Sequence, residues 1–223
     1  MKIAVLVDGG FYRKRAQSML GEKSPAERAK ELSDYCYRHL GNKCEKECNE
    51  IYRIFYYDCP PMGKKVYHPF KKEQVDFSKT GLYEWMNVFL EELKKKRKFA
   101  LRMGKLADQQ AQYSLRPDIV KQLFSGKRTF ESINESDFQI NVDQKGVDMK
   151  IGIDIASLAY KKQVDRIVLI SGDSDFVPAA KLARREGIDF ILDPLHAPIK
   201  PDLFEHIDGL NTCDNRFKGP HLS

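Results

Sequence analysis

The sequence has no apolar run long enough to cross a membrane. Charged residues make up 31% and hydrophobic residues 42% of its 223 positions, which is typical of a globular protein and not of a disordered one. No run approaches the roughly 18 apolar residues of a membrane span. The apolar start, IAVLV, meets Asp8 too early for the core of a secretory signal. We therefore expect a cytoplasmic protein without a membrane partner.

The motifs of several common enzyme classes are also missing. The chain has no G-x-x-x-x-G-K-[ST] phosphate loop, no G-x-G-x-x-G dinucleotide fingerprint and no zinc-peptidase motif. No G-x-S-x-G elbow supports a serine hydrolase triad. A haloacid-dehalogenase-like phosphatase would require an Asp where Gly10 stands. The chemistry of this protein must therefore depend on a different set of side chains.

Cysteine is scarce and odd in number, with five residues in the chain. In a cytoplasmic protein we expect these to be reduced thiols. Cys36, Cys44 and Cys48, with His39 among them, have the chemistry of a structural Zn²⁺ site. The stretch lacks the paired C-x-x-C knuckles that most such sites use, so ordinary thiols on a helix and a loop are the favoured interpretation.

Strand-like and helix-like segments alternate along the chain. Continuous apolar runs, rich in β-branched residues, predict strands at 2–7, 50–58, 98–107, 165–171 and 188–193. Helical spacing predicts helices within 11–39, with a break near Gly21 and Pro25, and at 82–96, 148–162 and 176–186. This alternation predicts an α/β protein with three layers, in which a central, mainly parallel sheet lies between helices.

The remaining segments define the domain organisation. Residues 1–210 are predicted to form a single domain, with an insertion around 108–135 and a frayed C-terminal tail at 211–223. The polar stretch 64–81 is predicted to be a loop, and a short strand is expected within 137–146. In the helix at 82–96, the apolar stripe is interpreted as core; its members are Leu82, Trp85, Met86, Phe89, Leu90 and Leu93.

Four aspartates are predicted to converge at one edge of the sheet. Asp8 ends the first strand, Asp173 and Asp175 follow the strand at 165–171, and Asp148 opens a helix. Ligands of parallel sheets bind beyond the carboxyl ends of the strands. Close carboxylates raise one another's pKa values unless a cation neutralises them, and Mg²⁺ or Mn²⁺ prefers oxygen ligands. Such an ion activates water for hydrolysis of a phosphodiester.

Helix capping is the alternative explanation for these aspartates. Because Asp is a favoured N-cap, capping would account for Asp148 and for one of the pair Asp173 and Asp175, but not for both. Asp154 follows Asp148 by six residues, which rotates it by roughly 120° around a regular helix. We therefore treat Asp154 as a weaker metal ligand, or as a residue that supports the ligands.

Basic and aromatic residues near Asp8 suggest contacts to nucleic acid. The net charge of +6 suits a polyanionic partner. Arg13, Lys14 and Arg15 follow the first aspartate closely and are candidate phosphate contacts. Phe11 or Tyr12 could stack on an unpaired base. A solvated helix face explains the basic run equally well.

Three motifs, in order along most of the chain, resemble the NYN domain, and specifically its LabA-like branch. They are VLVDGGF, QKGVDMKIGIDIASLA and VLISGDSDFVPAAKLARREG, and IFYYDCPP is similar to a fourth stretch of that branch. The resemblance implies the three-layer fold of the PIN-like superfamily and ribonuclease activity. It also implies Mg²⁺ or Mn²⁺ bound by Asp8, Asp148, Asp173 and Asp175, with Ser171 and Ser174 positioning a water or a phosphate oxygen.

One position departs from the family pattern. NYN domains often carry an Asn three residues after the first aspartate, where this chain has Phe11. The partner implied by the resemblance is RNA, in single-stranded form. Two other functions stay open: a non-catalytic regulatory module that binds nucleic acid or protein, and a metal-dependent phosphatase. The oligomeric state is also open, with a homo-oligomer as one option.

Overall fold

The computed structural model describes residues 1–41, 44 and 48–218. Its helices are α1 (Gly9–Leu20), α2 (Pro25–Arg38), α3 (Gly81–Lys94), α4 (Pro117–Phe124), α5 (Val147–Tyr160), α6 (Val177–Arg185) and α7 (Pro201–Phe204). Its strands are β1 (Lys2–Asp8), β2 (Glu50–Asp58), β3 (Lys65–His68), β4 (Glu73–Asp76), β5 (Phe99–Met103), β6 (Lys105–Leu106), β7 (Gln112–Leu115), β8 (Phe138–Asn141), β9 (Gln144–Lys145), β10 (Arg166–Ile170), β11 (Asp189–Asp193) and β12 (Gly209–Leu210). No helix in the described ranges combines the length and apolar character needed to cross a bilayer.

The central sheet has six strands in the order β12-β11-β10-β1-β2-β5. Every pairing in it is parallel. Strand β1 lies between β10 and β2, and its residues 3–7 are fully buried. A strand buried on both faces needs apolar residues at every position, which the run IAVLV supplies. All carboxyl ends of the sheet therefore lie at one edge, where Asp8 ends the middle strand.

Two hydrophobic cores lie on opposite faces of the sheet, because successive side chains of a strand point to opposite sides. Ala4 and Leu6 belong to the core formed with α5 and α6. Ile3, Val5 and Val7 belong to the core formed with α1, α2 and α3. The predicted three-layer α/β fold with a central parallel sheet is confirmed.

A group of small antiparallel strand pairs lies outside the central sheet. We call residues 64–79 together with 105–145 the hairpin lobe; it contains the pairs β3–β4, β6–β9 and β7–β8. The prediction of a loop at 64–81 was wrong, because this stretch holds the β3–β4 hairpin. The strands are four residues each and bury few apolar side chains, so their alternation was too short to recognise. The strand predicted at 98–107 divides at Gly104, where β6 leaves the sheet.

Two further expectations were corrected by packing. Leu82 lies in the first turn of α3 and is 68% exposed, whereas Met86, Phe89 and Leu93 of the same predicted stripe are buried. The C-terminal segment is packed rather than frayed as far as it is described, since Phe217 is 1% exposed and lies in the core with α1 and α2.

Candidate active site

Asp8 joins the middle strand to the first helix. Its carboxylate caps α1, with Oδ1 accepting the backbone N–H of Phe11 at 3.0 Å. Oδ2 accepts the hydroxyl of Ser171 at 3.2 Å. Ser171 follows the neighbouring strand β10 and is fully buried. Both oxygens of Asp8 are thus held in place across the two central strands.

The side chains of the closely spaced pair Asp173 and Asp175 have different surroundings, because only Asp173 caps a turn. Asp173 precedes the short 3-10 turn Ser174–Phe176, and its Oδ1 accepts the backbone N–H of Asp175 at 3.0 Å. The N–H of Asp173 in turn donates to Ser171 Oγ at 3.2 Å. Capping therefore explains Asp173, while the carboxylate of Asp175 is left exposed.

Asp148 lies in the first turn of α5, two residues after Gly146. Gly146 has φ of 80°, a left-handed conformation that favours glycine at this entry to the helix. Burial raises the pKa of Asp148, and the charges of Asp173 and Asp175 raise it further. Burial likewise raises the pKa of Asp8, with an added contribution from Asp148. The charge of Asp148 therefore acts on Asp8, and the charges of Asp173 and Asp175 act on Asp148.

No described basic residue forms an ion pair with any of these four carboxylates. Within 1–41, 44 and 48–218, there is also no group of three or more His, Cys, Asp or Glu side chains arranged closely enough to hold a metal ion. The donor set nevertheless has the chemistry of a hard-cation site, since all its atoms are oxygens. Mg²⁺ commonly uses one or two carboxylates and retains several waters.

Asp154 lies apart from this cluster. Its Oδ2 accepts the hydroxyl of Tyr57 at 2.8 Å and forms an ion pair with Arg102 Nε at 3.1 Å. The rotation between Asp148 and Asp154 along α5 accounts for the separation. Asp154 therefore ties α5 to strands β2 and β5, and we do not include it in the proposed metal site.

Asp58, which sequence analysis did not identify, ends strand β2 at the same sheet edge. It is 1% exposed and accepts both Nε and Nη2 of Arg13, at 2.9 and 3.1 Å. It also accepts the Tyr56 hydroxyl and the N–H of Cys59, both at 2.8 Å. A Cβ on Gly9 would lie 2.7 Å from Asp58 Oδ2, so glycine permits this close approach. Like Asp8, Asp58 is an Asp directly after an apolar strand, and that pattern was the available signal.

The predicted phosphate contacts fall in different places. Arg13 is engaged with Asp58, and Arg15 donates to the carbonyls of Leu195 and Phe217 at 2.7 and 3.1 Å, whereas Lys14 is exposed. Ser174 accepts the Nζ of Lys200 at 3.0 Å. Lys200 was not predicted, because it lies between β11 and α7 in a stretch without periodicity. It brings an exposed cation to the Asp173–Asp175 turn.

Phe11 and Tyr12, the two aromatic residues predicted to stack on a base, differ in their burial. Tyr12 is fully buried and its hydroxyl donates to Glu31 at 3.1 Å, so the suggestion that it stacks on a base was wrong. Phe11 is half-buried, and a Cβ on Gly172 would lie 2.9 Å from its ring. Phe11 therefore packs on the loop between Ser171 and Asp173.

The side chains considered for zinc do not gather into one site among the described residues. Cys36 is buried in the core, whereas Cys44 and Cys48 are exposed. The ring of His39 instead has Nε2 3.0 Å from Asp193 Oδ2 and Nδ1 3.4 Å from Cys213 Sγ. The remaining residues of the stretch, 42–43 and 45–47, lie outside the described part of the chain.

Comparison with known proteins identifies the class. The family model of the NYN domain matches residues 86–199, just over half of the chain. The chain therefore belongs to the NYN domain family, whose members are generally nucleases of the PIN-like superfamily. The matched region contains Asp148, Asp173 and Asp175, whereas Asp8 lies before it.

A solved structure supports the fold over nearly the whole chain. It is a protein of unknown function from Vibrio parahaemolyticus, 15% identical, and the alignment covers 97% of this chain and 94% of that chain with a TM-score of 0.50. No curated protein matches the sequence. At this level of identity the likeness concerns the fold.

Proposed function

We propose that this protein is a divalent-metal-dependent ribonuclease of the LabA-like branch of the NYN family. The observation that carries the proposal is that Asp8, Asp148 and the Asp173–Asp175 turn, from three separate chain segments, lie at the carboxyl edge of the sheet, where the charge of Asp148 raises the pKa of Asp8 and the charges of Asp173 and Asp175 raise the pKa of Asp148. No described cation forms an ion pair with them. An acidic site that costs stability by repulsion is expected where a cation and a phosphate are to be bound.

The residues of the site have two roles in this proposal, metal binding and orientation of a ligand. Asp8, Asp148, Asp173 and Asp175 would hold Mg²⁺ or Mn²⁺, which when bound supplies Lewis-acid activation of a water and neutralises phosphate charge. Ser171 fixes the orientation of Asp8 through its hydroxyl. These carboxylates would orient the water for attack on a phosphodiester, and no covalent intermediate with the protein would be required.

Substrate contacts would come from the rim of the site. Lys200, held beside Ser174, and Lys14, one turn after Gly10, are exposed cations suited to RNA phosphates. Arg13 serves a different purpose, because its guanidinium neutralises buried Asp58 and holds α1 against β2. We propose single-stranded RNA as the substrate.

The test is cleavage of end-labelled single-stranded RNA by the wild type and by Asp173→Asn, with Mn²⁺, with Mg²⁺ and with chelator. Asn retains the N-cap that Asp173 provides, so a loss of activity would reflect the carboxylate charge. Metal-dependent cleavage by the wild type alone is expected. Cleavage that persists equally in Asp173→Asn or in chelator would contradict the proposal.

One observation favours a second function, a non-catalytic regulatory module. Phe11, at the position where the family often has Asn, packs its ring on Gly172 next to the acidic site. A hydrophobic ring there cannot hydrogen-bond a ligand or a phosphate. RNA or protein binding without hydrolysis, from a wild type that still binds Mn²⁺, would support this module. Hydrolysis of a small phosphate monoester but not of RNA would instead indicate a phosphatase.

A further inference from the structure

The hairpin lobe lies at the same edge of the central sheet as the acidic site. Its segments follow the carboxyl ends of β2 and β5, and the N–H of Gly104 donates to the carbonyl of Asp58 at 2.7 Å. The lobe returns to the domain through β9, and Asp148 follows three residues later. Gln144 Oε1 lies 3.9 Å from where a Cβ on Gly10 would be. The lobe therefore borders the site.

The two faces of the β3–β4 hairpin have different partners. Val66 and His68 point inward and are buried, and the His68 ring packs on Tyr113 with centroids 4.2 Å apart. Lys65 and Tyr67 alternate with them and point outward. Tyr67 is 52% exposed, and Phe70 in the following turn is 48% exposed. An anchored hairpin thus presents aromatic rings to solvent.

An open pocket of about 680 Å³ lies where the hairpin meets β7 and β8. Its aromatic lining includes Phe70, Tyr113 and Phe138, and its polar lining includes Asn134 and Ser136. Aromatic faces next to amide and hydroxyl groups are what an unpaired base requires, since stacking supplies affinity and the polar groups contact base edges.

The charge of the hairpin complements a phosphate backbone. Residues 64–79 contain five lysines, one Glu and one Asp. All five lysines are exposed. Lys65 and Lys71 lie 3.9 and 2.7 Å from carboxylates, whereas Lys72 and Lys79 form no ion pair within the described part of the chain. Lysines interleaved with exposed aromatic rings distinguish this surface from an ordinary solvated hairpin.

We propose that the hairpin lobe is the platform on which single-stranded RNA is held beside the acidic site. Bases stack on Tyr67 and enter the pocket at Phe70, while the backbone follows Lys72 and Lys79 toward the carboxyl edge. The identity of the ligand rests on the proposed function. The placement of the binding surface rests on the lobe's own charges and rings.

The opposite edge of the sheet offers matched controls. Tyr160, at the end of α5, is 58% exposed, and it is followed by the exposed residues Lys161 and Lys162. Lys162 and Lys72 both have positive φ, of 47° and 56°, so substitution at either position meets the same backbone conformation. The comparison is therefore between Tyr67→Ala and Tyr160→Ala, and between the double variants Lys72→Gln/Lys79→Gln and Lys161→Gln/Lys162→Gln.

The experiment measures binding of a fluorescein-labelled oligouridylate to the full chain in chelator, by anisotropy over a range of salt concentrations. Tyr67→Ala should weaken binding about 10-fold, with an unchanged salt dependence, because stacking is lost. The lobe lysine variant should lower the slope of log Kd against log salt by about 1.4, since two phosphate contacts are lost. The control variants should bind as the wild type does.

The outcomes separate this proposal from the nuclease assignment. If the lobe variants bind RNA as well as their controls do, the platform is wrong, whether or not the wild type cleaves RNA with Mn²⁺. Lobe-dependent binding by a protein that cleaves no RNA with Mn²⁺ or Mg²⁺ would support the platform and contradict the nuclease. A wild type without affinity for single-stranded RNA would overturn the platform, and a protein partner would then be the next candidate.

Discussion

Aspartates at one edge of the sheet fall into two groups with different surroundings. Asp58 and Asp193 end strands β2 and β11, and both are buried with several hydrogen-bond donors around each carboxylate. Asp193 accepts the Tyr35 hydroxyl, the N–H of Leu195 at 2.9 Å and the Thr212 hydroxyl at 2.8 Å, and it contacts His39. The carboxylates of the proposed metal ligands accept few hydrogen bonds, and none of them forms an ion pair with a described residue.

The difference teaches how the same residue type can serve structure or chemistry. A buried carboxylate whose lone pairs are all satisfied locks its neighbours in place and has no capacity for a ligand. A carboxylate that is repelled by its neighbours and only partly hydrogen-bonded has free oxygens for a cation. Hydrogen-bond partners, rather than position at the sheet edge, distinguish the structural role of Asp193 from the proposed ligand role of Asp148.

The largest expected effect is on stability. We predict that Asp193→Asn lowers the free energy of unfolding by about 3 kcal/mol, because it removes the charge and one acceptor from a buried network. Urea denaturation monitored by circular dichroism measures this. Asp173→Asn removes the same charge from the exposed turn after β10 and should change the free energy of unfolding by less than about 0.5 kcal/mol. If both variants lost the same free energy of unfolding, the distinction between the buried and the exposed aspartates would be wrong.

The second effect is on activity. Asp8→Asn should reduce RNA cleavage by about 100-fold or more, because a proposed ligand is lost. Asn is as good an N-cap as Asp, so α1 should be preserved and the midpoint of urea denaturation should not fall. The rate of single-turnover cleavage in Mn²⁺ provides the readout. A folded variant with wild-type turnover would exclude Asp8 from the metal site.

A smaller effect distinguishes Arg13 from Lys14. Arg13→Lys should lower the free energy of unfolding by about 1.5 kcal/mol, because Lys cannot reproduce the two-pronged contact with Asp58. Lys14→Gln, on the exposed side of α1, should leave stability unchanged and raise the KM for RNA severalfold. If Arg13→Lys changes KM but not stability, Arg13 is a substrate contact after all.

The smallest effect is an opposite dependence on pH. Burial raises the pKa of Asp8, so its contribution to stability is present below the ordinary pKa of 3.8 and is lost as the pH rises. The hydrogen bond from Arg216 lowers the pKa of Asp214, so its contribution is present above 3.8 and is lost as the pH falls. In chelator, the stability of Asp8→Asn relative to the wild type should therefore increase as the pH rises. The stability of Asp214→Asn relative to the wild type should decrease as the pH rises. Urea midpoints between acid and neutral pH test both signs.

Several elements were predictable because their own residues determine them. The strand at 50–58 was predicted with the bounds that the structure has, since its apolar run ends at two prolines. The helix after β10 ends before Gly187, whose φ of 84° matches the expected glycine. Neither depends on distant contacts. The β3–β4 hairpin was missed because its inward side chains become recognisable only through Tyr113 and Phe138, far along the chain.

The sequence by itself determined the three-layer architecture and where the strands lie along the chain. A strand buried on both faces must be apolar throughout, so its apolar run marks it in the sequence. It also placed Asp8, Asp148, Asp173 and Asp175 at strand ends and helix starts. The tertiary structure alone decided which acids have partners. Arg13 reaches Asp58 across 45 residues and His39 reaches Asp193 across 154, and no local pattern encodes such contacts. Hydrogen bonds between distant segments form only once the sheet has aligned its strands.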